Sequence, residues 1–139
     1  MDNYTYVFFV PGKPFGKQRP RVTGSGHAYT PVDTVNYENL VKVCFTEKYP
    51  DIEPTENYLT MEIVAHFPIP TSWSKKKKRQ AIDSEIFPHK PDWDNIGKII
   101  SDALNGIAYK DDAQICHCSV HKCYADKPMV GVFITVIGG

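Results

Sequence analysis

The segment Asp92-Trp93-Asp94-Asn95-Ile96-Gly97-Lys98-Ile99-Ile100-Ser101-Asp102-Ala103-Leu104-Asn105-Gly106 carries the clearest periodicity in the chain. At 100° per residue, Ile96, Ile99, Ile100, Ala103, Leu104 and Ile107 fall on one apolar arc, and Asn95, Lys98, Asp102 and Asn105 fall on the opposite one. The pattern predicts an amphipathic helix laid on a core, capped by Asp94 or Asn95 and closed by Asn105-Gly106. Outward from it, residues 4–10 are aromatic and β-branched and read as a first strand. Residues 58–67 alternate and read as a second strand, ended by Pro68 and Pro70. Residues 114–124 and 129–137 read as two more, and the short link 125–128 makes them look like a hairpin. Residues 11–31 hold four Gly and four Pro and read as a loop, with room for a small hairpin around Gly24-Ser25-Gly26. Residues 34–49 place Val35, Leu40, Val41, Val43, Cys44 and Phe45 at near-helical spacing, with Asp33 or Thr34 as N-cap. Ser72 or Ser74 can cap a short helix carrying the lysine run through Gln80 and Ala81. The order β, α, β, α, α, β, β predicts an α+β fold. It is a single two-layer domain over residues 1–139, a mixed sheet of about four strands with helices packed on one face.

Hydrophobic residues make up 42% and charged residues 23% of the chain, which excludes a disordered polymer. No apolar run approaches membrane-spanning length, so no membrane partner is expected. The first residues lack a basic stretch, and residues 7–10 are too short for a signal-peptide core, so a cytoplasmic location is expected. The net charge is zero, but the charges are unevenly distributed. Residues 3–32 contain no acid while carrying Lys13, Lys17, Arg19 and Arg21; residues 65–82 contain none while carrying Lys75, Lys76, Lys77, Lys78 and Arg79. Two unopposed basic patches suit a phosphate backbone better than the zero sum suggests. The four cysteines, Cys44, Cys116, Cys118 and Cys123, make no disulfide framework. Cys116, Cys118 and Cys123 with His117 and His121 lack the usual zinc spacing, so buried free thiols are expected.

Five of the sixteen acidic residues, Asp92, Asp94, Asp102, Asp111 and Asp112, fall within 21 positions around Lys98. Carboxylates so crowded repel one another unless a cation sits among them, and an all-oxygen set suits Mg²⁺, with Mn²⁺ as substitute. Asp92 and Asp94 lie two apart in what reads as an extended segment, so both side chains can point one way. If residues 107–109 turn the chain back, Asp112 can join them. Lys98 on the polar arc can then neutralise charge developing on an attacked phosphodiester. Each part also has an ordinary explanation: an N-cap, a surface ion pair, a turn. Caps and turns alone, however, have no reason to gather acids around one lysine.

Lys90-Pro91-Asp92-x-Asp94-Asn95-x-x-Lys98, then Ser101-Asp102-Ala103-Leu104-Asn105-Gly106, then Asp111-Asp112-x-Gln114, closely resembles the signature of the RusA family of Holliday-junction resolvases, the crossover junction endodeoxyribonucleases. The run Gly16-Lys17-Gln18-Arg19-Pro20-Arg21 through Tyr29-Thr30-Pro31 is similar to that family's opening. The resemblance implies a magnesium-dependent endonuclease acting as a homodimer on four-way DNA junctions. It assigns metal binding to Asp92, Asp94 and Asp112, keeps Asp111 as an additional candidate, and gives Lys98 a catalytic role. It further implies DNA recombination or repair, in a prophage or phage setting. The dimer has its own physical argument, since two symmetric nicks need two acidic clusters and one chain offers one. Lys13, Lys17, Arg19, Arg21, Lys75, Lys76, Lys77, Lys78 and Arg79 are the expected DNA contacts. Phe15, Trp73 or Tyr29 could insert at an opened junction centre, although aromatics beside prolines are more often packing. Two alternatives stand beside this reading: a magnesium nuclease for flaps, forks or other branched DNA, and a junction-binding module without catalysis.

Overall fold

A computed structural model describes residues 3–138. The elements are β1 (Tyr6–Pro11), β2 (Arg21–Val22), β3 (Ala28–Tyr29), α1 (Val32–Lys48), β4 (Leu59–Pro68), α2 (Lys75–Ile82), α3 (Trp93–Ala103), a 3₁₀ turn (Asp112–Gln114), β5 (Ile115–Ala125) and β6 (Met129–Val136). Strands β2 and β3 form the small hairpin expected within the Gly- and Pro-rich loop. The other four strands make one mixed sheet in the order β1-β6-β4-β5. In it β6 runs antiparallel to β1 and β4, and β5 runs parallel to β4. The chain is thus α+β, with the four-stranded sheet that the strand count predicted.

One expectation fails. Strands β5 and β6 follow each other in the chain but are not paired, because β4 lies between them. The cause is apolar content. Leu59, Met61, Ile63, Ala65 and Phe67 of β4 are all buried, whereas Cys116, His117, Ser119 and His121 of β5 are exposed. Burial favours the apolar strand at the centre and leaves the polar one at the edge, where half its ladder faces water. The expected buried thiols fail for the same reason: Cys116 and Cys118 are exposed on that edge, and Cys44 and Cys123 are half-buried.

Helices α1 and α3 pack against each other, α1 against β1 and α3 against β5. Tyr37, Val41 and Phe45 of α1 join Ile96, Ile99, Ile100 and Ala103 of α3 in one core with Phe8, Val10 and the buried side of β4 and β6. The apolar arc of α1 is rotated from the predicted one, leaving Val35 and Val43 exposed. Its cap differs too. Pro31 precedes the helix with φ of −56° and no side-chain cap, and the Thr34 hydroxyl instead donates to Gln18 Oε1 (3.2 Å). Ser74 caps α2 as expected, its Oγ accepting from the Lys77 amide (3.2 Å).

Candidate active site

The helix predicted around residue 96 begins slightly earlier than its caps suggested. Asp92 is the N-cap residue, Trp93 opens α3, and Leu104 closes it. Asp94 therefore lies in the first helical turn rather than in an extended segment. Asp92 is extended (φ −64°, ψ 151°) and Asp94 helical, so the two carboxylates are not related by the two-residue repeat of a strand. Asp92 accepts from the Lys90 ammonium (3.0 Å), while the Asp94 carboxylate accepts the Asn95 amide (3.0 Å).

The return of the chain after α3 is held at several points. Gly106, at φ of +75°, donates its amide to the Tyr109 carbonyl (2.8 Å), a turn that a residue bearing Cβ would strain. The buried Tyr109 hydroxyl donates to the Ser101 carbonyl (2.7 Å). Burial first, and then the nearby charges of Asp112 and Asp102, push this phenol well above its ordinary value and keep it a donor. Gln114 clamps the two aspartates beyond that turn. Its Oε1 accepts the Asp111 amide (2.9 Å), and its Nε2 donates to the carbonyls of Thr55 and Asn57 (2.8 Å each). Asp112 is thereby fixed beside α3, where Asn105 Nδ2 donates to its Oδ2 (3.3 Å).

These constraints form a hollow of about 300 Å³ lined by Asp94, Lys98, Asp102 and Asp112, with Trp93 and Cys118 among its walls. Asp92 is not part of it. It lines a neighbouring hollow of about 480 Å³ with Lys13, Phe15, Lys90 and Asn95. A third, of about 450 Å³, runs from Lys98 and Asp102 past Lys17 to Arg19 at the foot of the β2–β3 hairpin. Shared lining residues join the three into one groove around the start of α3. Among the described residues, no three His, Cys, Asp or Glu side chains converge on one point as a closed metal cage would require. With Asp102 engaged by Lys17 and Lys98, the other two carboxylates of the hollow, Asp94 and Asp112, are the kind of set that Mg²⁺ takes while keeping waters and completing its shell from substrate phosphate.

The basic residues divide into groups. Lys13, Arg19 and Arg21 are exposed, and so are Lys75, Lys76, Lys77 and Arg79 of α2, with Lys78 half-buried. Lys77 lies 4.1 Å from the centroid of the Trp73 ring, which packs edge-on to Tyr124. Lys17 is different, being bound to Glu38 (2.9 Å) and Asp102 (3.2 Å) instead of facing solvent. Burial alone would lower its pKa, but the hydrogen bonds and charges of both carboxylates outweigh that and raise it. Phe15 stacks on Tyr37, whereas Tyr29 is exposed on β3. Sequence reasoning did not single out Tyr109, Glu38 or Lys122. Lys122 of β5 donates to the carbonyls of His89 (2.7 Å) and Pro91 (3.2 Å) and so anchors the segment leading to Asp92. No local pattern marks these residues, because their partners lie 8 to 33 positions away. Only the Gln in Asp111-Asp112-x-Gln114 was visible in the sequence, as part of the motif.

A family model described as Endodeoxyribonuclease RusA matches residues 11–136. The chain is also similar to the Bacillus subtilis (strain 168) protein described as uncharacterized protein YqaN. The two are 35% identical over 133 residues, which covers 91% of this chain and 93% of that protein.

Proposed function

The chain belongs to the RusA family of endodeoxyribonucleases, and on that premise we propose that it is a magnesium-dependent nuclease resolving four-way DNA junctions by paired, symmetric nicks. One observation carries the reading: Asp94, Lys98 and Asp112, from the start of α3 and from beyond its end, line a single hollow. Asp94 and Asp112 are assigned to Mg²⁺, with Asp92 at the helix N-cap and Asp111 as the remaining candidates. Bound there, the ion would polarise the phosphodiester and supply hydroxide near neutral pH. Lys98, whose side chain is 62% exposed, can follow the phosphate and balance charge as the bond breaks. Lys13, Arg19, Arg21 and the lysines of α2 offer backbone contacts that are independent of sequence. Two copies related by a two-fold axis would match the symmetry of the junction.

The test uses the purified chain, a labelled immobile four-way junction and a linear duplex, with Mg²⁺, Mn²⁺ or EDTA. Paired nicks in the junction, an uncut duplex and silence in EDTA are expected. Asp94→Asn, Asp112→Asn and Asp92→Asn should each lower cleavage by at least about 10²-fold while junction binding persists. Undiminished cleavage by Asp94→Asn or Asp112→Asn refutes the site. Single nicks in flaps or forks would move the activity to other branched DNA.

A further inference from the structure

Asp102 Oδ2 is shared by two ammonium groups, Lys17 at 3.2 Å and Lys98 at 3.8 Å, while Lys17 also binds Glu38 at 2.9 Å. These residues come from three places: the N-terminal loop, α1 and α3. We propose that Lys17, Glu38 and Asp102 are positioning residues for Lys98, holding its ammonium at the mouth of the hollow without locking it onto a carboxylate. The inference rests on the nuclease reading of that hollow.

The geometry supports it in three steps. A fully closed charged pair lies at about 2.7–2.9 Å. Lys98 stands at 3.8 Å from Asp102 Oδ2, while the nearer Lys17 engages the same oxygen at 3.2 Å. The side chains of Lys17, Glu38 and Asp102 are 19%, 16% and 23% exposed, against 62% for Lys98. The first three thus form a fixed base, and the fourth is a tethered arm. Lys17 is also seated by its backbone, its amide donating to the Asn95 carbonyl (2.8 Å). The loop can approach that closely because residue 16 is glycine; a Cβ there would lie 2.6 Å from the Pro91 Cβ. Without Lys17, Asp102 would have one cation left, and Lys98 would close onto it and withdraw from the hollow.

The experiment separates this role from phosphate contact. Lys17→Met is compared with the unaltered protein for single-turnover cleavage of saturated junction, and for binding across a salt series. A cleavage rate lower by roughly ten- to a hundredfold is expected, with affinity and salt slope unchanged. Lys17→Arg should restore the rate, and in a Lys98→Met background Lys17→Met should cost nothing further. Weakened binding with a salt slope smaller by about 0.9, at an unchanged saturated rate, would make Lys17 a phosphate contact and overturn the proposal. Losses that multiply in the double variant would overturn it as well. If Lys17→Met fails to fold by circular dichroism, Lys17→Gln carries the same comparison. The side-chain ¹⁵N ammonium signal of Lys98 in the free protein gives a readout that needs no cleavage. Its shift in Lys17→Met supports positioning, and an unmoved signal refutes it. Failure of the unaltered protein to cut any DNA would instead refute the nuclease reading.

Discussion

Asp92 shows how much a shift of two residues in a helix boundary matters. Read as an extended dipeptide repeat, Asp-x-Asp aims two carboxylates together; with the helix starting at Trp93, they line different hollows. Lys17 makes a similar point, since a lysine in an acid-free stretch reads as a phosphate contact until the fold brings Glu38 and Asp102 to it. Tyr37 allows a stability test at the same scale. Its ring is in the core, and among the described residues its hydroxyl finds no hydrogen-bond partner. Leaving that group buried and unpaired costs about 1–3 kcal/mol, so Tyr37→Phe should leave stability to urea unchanged or raise it by about 1 kcal/mol. A clear loss would reveal a hidden partner. Burial also pushes the Tyr37 and Tyr109 phenols above their ordinary 10.0, Tyr109 with help from nearby acids. Both groups keep their protons when folded, while the unfolded chain releases them near pH 10. Stability should therefore be intact below that pH and fall as pH rises past it, less steeply in Tyr37→Phe.

At the scale of elements, α3 was legible because its apolar arc repeats every turn, and Ile96, Ile99, Ile100 and Ala103 are all buried. The arc of α1 was misread because valines and leucines occur around most of that helix, so composition could not choose between faces. Helix α2 is the unfavourable case. Lys75–Lys78 crowd its N-terminal end, where the helix dipole repels cations. It is held by the Ser74 cap, by buried Ala81 and by Trp73 against Tyr124. The phosphate contact proposed above would use these four lysines. Reversing Lys75, Lys76 and Lys78 to Glu should weaken junction binding and flatten its salt dependence, by about 0.9 in slope per lost phosphate contact. Because those residues repel the helix end, stability should hold or rise. An unchanged slope would remove α2 from the DNA surface.

For the whole molecule, α1 packs on the sheet face that carries Tyr6 and Phe8, opposite the face that carries Phe9. There Phe9 is 51% exposed and meets Phe133 edge-on at 6.1 Å, with Gly131 beneath both rings. The outer edge of β5 is also uncovered. Among the described residues, no helix is long and apolar enough to cross a membrane. One chain carries one hollow with Asp94, Lys98 and Asp112, so the paired nicks proposed above would take two chains. Sedimentation should report a species of twice the chain mass at concentrations where junctions are cut symmetrically. A monomer producing paired nicks at those concentrations would refute the dimer.

Periodicity and spacing alone identified the α+β class, the central amphipathic helix and the acid-and-lysine motif, and the resemblance of that motif to a known signature pointed to the family. All of these are local, set by side chains within a few turns of one another. Tertiary structure alone decided that β4 separates β5 from β6, that Asp112 lines a hollow with Asp94 and Lys98, and that Lys17 serves two carboxylates. Those outcomes depend on which distant surfaces are buried together. Burial is a competition among all segments at once, and no window of sequence contains its result.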